Sequence, residues 1–213
     1  QKAPSLNLGV IDMEKLDYVA PKEEKLQKIY FKYRPLWEEI LKNISETIGT
    51  KIQADELKFT LKKRVKSLES LNAKKQALVD TGPNQNQKIK DLLGLRLIVP
   101  FLEDVERVVD IVKASFEVVD IERKSEALSY REFAYDSVHM EISLENQDIE
   151  LPSFCCQSCE VQIRTILQEA WAEIEHELVY KSGIEYPDNQ VIRKKMAALN
   201  ANLVLSDMIF QEI

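Results

Sequence analysis

The chain has 213 residues, 45% of them hydrophobic, which is long enough to bury the core of one domain. Its formal net charge of −7 argues against a general nucleic-acid coat protein, because such proteins carry a basic surplus. No apolar run approaches the ~20 residues that a membrane helix needs, so we expect no membrane contact. The chain begins with Gln1 rather than Met, and we expect it to be a piece of a longer protein.

The N-terminal part is predicted to be helical. Residues 1–13 show no sustained periodicity and are predicted to form a tail, whereas 14–213 are predicted to form a single domain. A helical arm is expected over 14–50, because apolar residues there recur at helical spacing. Pro35 is expected to end one helix and to begin the next.

The stretch L-K-F-T-L-K-K-R-V-K (57–66) predicts a strand with one apolar and one basic face. Phe59, Leu61 and Val65 are expected on the apolar face. The basic face consists of Lys58, Thr60, Lys62, Arg64 and Lys66. Such a concentration of cations is unusual in an acidic protein, so we interpret it as a phosphate cradle rather than as an edge strand that lysines protect from aggregation. A serine, Ser67 or Ser70, is expected to cap the helix that follows.

The next strand, L-R-L-I-V-P-F (95–101), is apolar on both faces and is therefore predicted to lie inside the sheet. Asp91 stands just before it, and Arg96 is its one charged residue. An arginine in an interior strand is seldom left unpaired, so we expect Arg96 to face a cleft or an anion. A helix over 103–114 and a strand over 117–121 are predicted to follow.

Two further strands are predicted to have one core face and one functional face. In A-Y-D-S-V-H-M-E-I-S-L (134–144) the core face is Val138, Met140, Ile142 and Leu144. The opposite face is Tyr135, Ser137, His139 and Glu141. In C-E-V-Q-I-R (159–164) the valine and isoleucine are expected to be buried, and the opposite face is Glu160, Gln162 and Arg164.

The hydrophobic period changes from two to 3.6 at Thr165, so this last strand is predicted to run straight into a helix. The predicted buried stripe of that helix is Ile166, Leu167, Ala170, Trp171, Ile174 and Leu178. Its predicted outer face carries Glu169, Glu173 and Glu177. A final packing helix is predicted over 189–213, with Ile192, Met196, Leu199, Leu203 and Phe210 at helical steps.

Three cysteines lie within five residues, at Cys155, Cys156 and Cys159. An odd number so close together is a poor disulfide framework and is typical of a reducing compartment, so we predict a cytoplasmic location. A zinc site needs about four ligands, and His139 or His176 would have to complete one through the fold. Small thiols that lead into a buried strand are the favoured interpretation, and zinc is the alternative.

If these strands form one sheet whose other side is covered by helices, their polar faces merge into a single cleft. That cleft would offer cations to a polyphosphate and an aromatic ring to a base. It would also offer two carboxylates, Asp91 and Glu160, to a metal ion. This combination indicates phosphoryl or pyrophosphoryl transfer with Mg²⁺ as the cofactor.

Four sequence blocks resemble the synthetase domain of the RelA/SpoT family: R-V-K-S-L-E-S, D-L-L-G-L-R-L-I-V-P-F, Y-D-S-V-H and E-V-Q-I-R-T. The likeness spans about residues 58–182, with the blocks in the family's order and spacing. It implies an α/β fold of the α+β type, in which a mixed sheet of about five strands is flanked by helices as in nucleotidyltransferases. It also implies transfer of the β,γ-diphosphate of ATP to the ribose 3′ hydroxyl of GDP or GTP.

The resemblance assigns roles to individual residues. Asp91 is expected to bind Mg²⁺, and Glu160 is expected to bind it or to take the proton from the attacking hydroxyl. The ATP-binding residues it implies are Arg64, Lys66, Ser70, Lys74 and Arg96, of which the two arginines would sandwich the adenine. The acceptor-binding residues it implies are Tyr135, His139, Gln162 and Arg131, of which the tyrosine would stack on guanine.

The acceptor loop departs from the family pattern. It has Ala134 where the family usually has glycine, and Asp136 where a basic or amide residue is usual. A carboxylate beside an anionic acceptor would weaken binding, unless Arg123, Lys124 or Arg131 compensates. The acceptor is therefore left open between GDP or GTP, the 3′ end of tRNA and an adenosine nucleotide. A catalytically silent nucleotide-binding module and a homo-oligomer are also left open.

Overall fold

The computed structural model describes residues 23–80, 88–123, 137–145, 151, 155–181 and 190–212. The predicted tail lies outside these ranges, as does the start of the predicted arm. The helices and strands, in chain order, are α1 (Glu23–Ala54), β1 (Thr60–Val65), α2 (Leu68–Asp80), β2 (Leu93–Val99), α3 (Leu102–Ser115), β3 (Val118–Arg123), β4 (Val138–Ser143), β5 (Ser158–Thr165), α4 (Ile166–Lys181) and α5 (Gln190–Glu212).

The five strands form one mixed sheet in the order β1-β2-β5-β4-β3. Strands β2 and β5 run parallel, and the other neighbouring pairs are antiparallel. The central strand, β5, thus pairs with β4, which directly precedes it, and with β2, which comes much earlier in the chain. A mixed five-stranded sheet flanked by helices is the predicted fold, and that prediction is confirmed.

One face of the sheet is apolar and is covered by α1 and α3. The alternation predicted for β4 is confirmed, because all four core-face residues from Val138 to Leu144 are buried. The inner stripe of α3 is confirmed in the same way by four buried valines. On β1, the predicted apolar residues Phe59, Leu61 and Val65 pack against this core. The opposite face of the sheet is therefore free to carry polar side chains.

Helix α1 runs through Pro35 without a break, so the prediction of two helices is wrong. A proline inside a helix removes one backbone hydrogen bond and costs about 3 kcal/mol or more. Here the buried stripe continues on both sides of the proline, through Tyr30 before it and Trp37 after it. The rings of these two residues meet edge to face, with centroids 5.7 Å apart. Packing across the proline outweighs the lost hydrogen bond.

The predicted stripe of α4 is wrong in part. Trp171 is buried as expected, but Ile166 and Ile174 are more than half exposed. Gln168 and Glu169 are buried instead. The helix is therefore rotated from the predicted orientation, and its first turn presents polar side chains to the rest of the protein.

Helix α5 also differs from its prediction. Met196 is buried, but Leu199 and Phe210 are about half exposed. The buried residues of α5 include two polar side chains, Asn200 and Asp207, which hydrophobic periodicity cannot detect. Among the helices that the structure describes, none combines the length and the apolar character that a membrane crossing requires.

Candidate active site

A cavity of about 670 Å³ opens on the polar face of the sheet. Its lining residues come from β1, β2, β5 and α4, and from the segment that leads into β2. They include six cationic side chains, which are Lys62, Lys63, Arg64, Lys66, Arg96 and Arg164. The three acidic lining residues are Asp91, Glu160 and Glu173. The cavity is thus locally positive in a chain whose net charge is −7, and it suits an anionic ligand.

The register of the sheet explains why residues so far apart in sequence meet here. Directly paired residues on neighbouring strands point to the same face of a sheet. One row of paired residues across the strands is Lys62, Arg96, Gln162 and His139. The adjacent row is Arg64, Gly94, Glu160 and Glu141. The merging of polar strand faces that the sequence predicts is confirmed by these two rows.

Asp91 lies at the entry to β2 and is held by two lysines. Lys66 Nζ donates to Oδ2 at 2.8 Å, and Lys74 Nζ donates to Oδ1 at 2.7 Å. Burial favours the neutral acid, but hydrogen bonds and positive charge from the two lysines outweigh burial and lower the pKa of Asp91. The carboxylate is therefore ionised at neutral pH and stands beside cations that can bind phosphate.

Glu160 lies on β5 within a chain of hydrogen bonds. Its Oε1 is 3.1 Å from His139 Nδ1, and its Oε2 accepts a hydrogen bond of 3.1 Å from Gln162 Nε2. His139 Nε2 in turn is 3.0 Å from Ser137 Oγ. The hydrogen bond with His139 lowers the pKa of Glu160 more than burial raises it. The charge of Asp91 also raises that pKa, so the two carboxylates influence each other across the cavity.

Arg96 projects from β2 into the cavity, as the sequence predicts for a charged residue of an interior strand. Its Nη1 donates to Glu169 Oε1 at 2.9 Å and to Glu173 Oε1 at 3.2 Å. Its Nε donates to Gln162 Oε1 at 3.2 Å. Sequence reasoning missed Glu169, because an acid opposite an apolar stripe was assigned to solvent. One signal in the sequence indicates that Glu169 belongs to the site. It lies in the first turn of a helix that directly follows a strand with charged residues.

Arg164 is a second buried guanidinium at the wall of the cavity, with 12% of its side chain exposed. Burial, together with the charge of Arg96, lowers its pKa. Its nearest acid is Glu169, whose Oε2 is 3.5 Å from Nη1. Within the described part of the chain, its Nε has no hydrogen-bond partner. An incompletely neutralised guanidinium that borders a cavity fits an anionic ligand.

Two predicted ATP-binding residues, Ser70 and Lys74, are not among the lining residues of the cavity, and two predicted acceptor-binding residues lie outside the described part of the chain. Ser67 caps α2, because its Oγ accepts a hydrogen bond from the Ser70 backbone N–H at 3.2 Å. The side chain of Ser70 is hydrogen-bonded to Ser67 at 2.9 Å. Lys74 reaches the site only through its contact with Asp91. Tyr135 and Arg131, both predicted to bind the acceptor, lie outside the described residues. Ala134 and Asp136, where the acceptor loop departs from the family pattern, also lie outside them.

Arg123 does not lie on the cavity face. It pairs in the sheet with Val138, a core-face residue, and its guanidinium forms two hydrogen bonds of 2.7 and 2.8 Å with Glu106 of α3. Whether Arg123 also compensates for Asp136 at the acceptor stays a prediction, because Asp136 lies outside the described residues. Lys124 and Arg131, the other two candidates, are outside the described residues.

The described side chains meet the ligand requirements of zinc and of magnesium to different degrees. Zinc finds no support, because no group of three or more His, Cys, Asp or Glu residues that could hold a metal occurs within the described ranges. Cys155 and Cys159 are buried, and burial raises the pKa of both thiols. Magnesium is usually bound through one or two carboxylates together with substrate phosphates. Asp91 and Glu160 line one cavity together with six cationic side chains and fit that requirement.

Comparison with known proteins gives the family. The model described as "Region found in RelA / SpoT proteins" matches residues 63–185, which is more than half of the chain. The chain belongs to the RelA/SpoT family. The matched span begins within β1 and ends just beyond α4, so it contains the end of β1, strands β2 to β5 and every lining residue of the cavity except Lys62.

Individual RelA/SpoT relatives are distant. GTP pyrophosphokinase YwaC of Bacillus subtilis (strain 168) is 28% identical over 150 residues, which are 70% of each chain. GTP pyrophosphokinase YjbM of the same organism is 25% identical over 122 residues, which are 57% of each chain. The crystal structure of the small alarmone synthetase 1 from Bacillus subtilis bound to its product pppGpp superposes with a TM-score of 0.67. That match has 22% identity and covers 89% of this chain and 96% of the other, so the two share a fold.

Proposed function

We propose that the protein is a (p)ppGpp synthetase that transfers the β,γ-diphosphate of ATP to the ribose 3′ hydroxyl of GDP or GTP. The observation that carries this proposal is a single cavity in which cations from three strands surround Asp91 and Glu160. Membership of the RelA/SpoT family supports it, as do the names of the two GTP pyrophosphokinase relatives.

ATP is assigned to the β1 and β2 side of the cavity. Arg64 and Arg96 would stack on the two faces of the adenine, which is a use of guanidinium that lysine cannot replace. Lys66 and Lys74 would bind the phosphates, with Ser70 near them. Both lysines donate to Asp91, so they would share their hydrogen bonds between this carboxylate and the phosphates of ATP.

Asp91 and Glu160 would hold Mg²⁺. When bound, the ion would supply positive charge that neutralises the polyphosphate. Because both carboxylates have lowered pKa values, neither needs to lose a proton before it can bind the ion at neutral pH.

In the transfer step the 3′ hydroxyl oxygen forms a bond to the β-phosphorus of ATP, and the bond between that phosphorus and the α,β-bridging oxygen breaks. AMP leaves with the bridging oxygen and the electron pair of the broken bond. The proton of the 3′ hydroxyl goes to Glu160, whose carboxylate is ionised at neutral pH. Lys66 and the arginines of the cavity hold the polyphosphate charge throughout.

The acceptor is assigned to the β4 side of Glu160. Gln162 and His139 lie there next to the carboxylate and would contact the acceptor's ribose or phosphates. Tyr135 would stack on the guanine, and Arg131 would bind phosphate. The roles of these acceptor-side residues rest on the family resemblance more than the roles of the ATP-side residues do.

The test is transfer of label from ATP carrying ³²P at the γ-phosphate, in the presence of Mg²⁺. GDP, GTP, an adenosine nucleotide and deacylated tRNA are offered separately as acceptors. We expect stoichiometric AMP release and label on guanosine nucleotide. Label on tRNA or on the adenosine nucleotide would instead identify that acceptor and overturn the guanosine assignment. No transfer to any acceptor would favour a silent nucleotide-binding module.

Two variants refine this experiment. Replacing Asp91 or Glu160 by Ala should lower transfer by about a hundredfold or more, because each removes a metal ligand or the base. The matched control is Glu106→Ala, which removes an acid that is also paired with an arginine but lies on α3, away from the cavity. The control should retain transfer close to that of the wild type. Activity that persists in the first two variants would show that the metal assignment is wrong.

A further inference from the structure

Glu169 is a buried carboxylate shared by three cations from three different strands. Its side chain is 10% exposed, and it lies in the first turn of α4. The three cations are Lys62 of β1 at 2.7 Å, Arg96 of β2 at 2.9 Å and Arg164 of β5 at 3.5 Å. Burial by itself would raise its pKa, but the hydrogen bonds and charges of Lys62 and Arg96 reverse this and lower it. Glu169 is therefore an ionised counter-ion behind the wall of the cavity.

Arg96 lines the cavity and makes its hydrogen bonds through the edge of its guanidinium. All N–H donors of a guanidinium lie in its plane, so an acceptor approaches the edge of the group. Gln162, Glu169 and Glu173 all accept hydrogen bonds from Arg96 in this way. Glu169 contributes both carboxylate oxygens to Nη1, at 2.9 and 3.2 Å. A guanidinium fixed at its edge keeps its orientation and can stack on a planar ring without being reordered.

Glu169 also reduces repulsion among the cations. The guanidinium groups of Arg96 and Arg164 both contact Glu169 and therefore repel each other at short range, and the charge of Arg96 accordingly lowers the pKa of Arg164. Glu169 contacts both and offsets this repulsion. If its charge were absent, Arg96 would be expected to move away from Arg164 and towards the exposed Glu173.

We propose that Glu169 is a positioning residue that holds Arg96 edge-on in the orientation that receives the adenine of ATP. The proposal rests on the proposed function, because it takes the adenine to stack on Arg96. It assigns to Glu169 no contact with substrate and no part in proton transfer. Its effect is therefore expected on ATP binding rather than on the chemical step.

A purely structural role is the competing interpretation. An acid in the first turn of a helix stabilises that helix through its dipole, wherever else its side chain points. Such a role would affect thermal stability and would leave the Michaelis constants alone. The two interpretations therefore differ in which measured quantity changes.

The test is Glu169→Gln, which keeps the shape and one acceptor oxygen but removes the charge. We expect the KM for ATP to rise about tenfold, the change that corresponds to about 1.4 kcal/mol of lost binding. The kcat and the KM for GDP should change by less than about threefold. The Kd of a non-hydrolysable ATP analogue, measured by calorimetry without acceptor, should rise in parallel with the KM. An unchanged KM and Kd would overturn the proposal.

A double-mutant cycle shows whether Glu169 acts through Arg96. In an Arg96→Ala background, Glu169→Gln should raise the Kd for the ATP analogue by less than about twofold, because the group that it positions is already gone. Full additivity of the two substitutions would show that Glu169 acts independently of Arg96 and would also overturn the proposal. Glu106→Gln is the control for loss of an acid–arginine pair and should leave the Kd unchanged.

Glu169→Asp covers the case in which the Gln variant does not fold. It keeps the charge and withdraws it by one methylene, so the protein should fold, with a Kd raised by about threefold. A folded Asp variant with the Kd of the wild type would overturn the proposal. These binding measurements need no acceptor and no transfer. Wild-type protein that binds the analogue but transfers nothing would contradict the proposed function while still allowing Glu169 to be tested.

Discussion

At the scale of single residues, the protonation of Glu160 is controlled from a neighbouring strand. His139 is the first cause of its lowered pKa, and Gln162 adds a second hydrogen bond, whereas burial and the charge of Asp91 act in the opposite direction. A base must be ionised to accept a proton. If Glu160 is the base, as proposed, His139 would keep it ionised whether or not His139 touches the acceptor.

This role predicts a shift in pH dependence. In His139→Ala the largest cause of the lowered pKa is lost, so the pKa of Glu160 rises and a smaller fraction is ionised at a given acidic pH. The acid limb of the plot of kcat/KM against pH should therefore move to higher pH. His139→Asn is the matched control, since its amide can donate to Glu160 in place of Nδ1, and it should largely restore the limb. An acid limb that stays in place in the Ala variant would argue against this account.

At the scale of elements, the junction between β5 and α4 sets the direction in which α4 leaves the sheet. The Gln168 backbone N–H donates to Thr165 Oγ1 at 3.1 Å, and Gln168 Oε1 accepts from the Thr165 backbone N–H at 2.8 Å. This reciprocal pair is a capping box. Thr165 Oγ1 also donates to Asp207 Oδ2 of α5 at 2.6 Å. One buried hydroxyl thus joins the central strand to two helices.

Thr165→Val should therefore lower the free energy of unfolding by about 2–3 kcal/mol, because it removes the cap and leaves a buried carboxylate short of a donor. The measurement is urea unfolding of variant and wild type. Ser206→Ala is the control, since its hydroxyl donates to a backbone oxygen on the exposed side of α5, and it should cost less than about 0.5 kcal/mol. A loss in the Val variant as small as that of the control would refute the structural importance of this junction.

The same junction shows how far the sequence leads. The alternation of apolar and polar residues predicts which face of the sheet each side chain of β4 and β5 occupies, because successive side chains on a strand point to opposite faces. Hydrophobic periodicity predicted helix α4 but not its orientation. Its apolar residues suggested one orientation, but the cap formed by Gln168 and the ion pairs of Glu169 impose another. The cap is local, since it joins Thr165 to Gln168, but the ion pair of Glu169 with Lys62 joins residues 107 positions apart, so no local pattern records it.

The candidate site likewise contains residues that the sequence predicts and residues that it does not. Asp91, Arg96 and Glu160 were predictable, because a charge within or beside a buried strand needs a reason to be there. The merging of their side chains into one cavity required a sheet order that places β5 between β2 and β4. The sequence places Glu169 in the first turn of a helix, but its three cationic partners and the pairing of His139 with Glu160 depend on how the elements pack.

At the scale of the whole molecule, the cavity makes stability depend on pH. Asp91, Glu160 and Glu169 all have lowered pKa values in the folded protein. A group whose pKa is lowered by folding contributes stability above its unfolded pKa, and that stability is lost as the pH falls through the folded value. We therefore expect the free energy of unfolding to decrease below about pH 4, where unfolded carboxylates begin to take up protons.

Urea unfolding across a series of pH values measures this. Asp91→Asn serves as the comparison, because it removes one of the three titrating groups and should make the decrease shallower. Stability that is constant or that increases between pH 5 and pH 3 would be inconsistent with ionised carboxylates in the folded cavity.

The strand order also determines when the protein can fold during synthesis. Strand β5 occupies the middle of the sheet but comes last among the strands in the chain. Until residue 165 has left the ribosome, β1 and β2 on one side and β3 and β4 on the other have no common neighbour. A nascent chain that stops before β5 holds two separate hairpin-like pairs with exposed edges, and such edges invite aggregation. Asp91 and Glu160 are brought together only when β5 is inserted, so half-made copies of the protein cannot assemble the site.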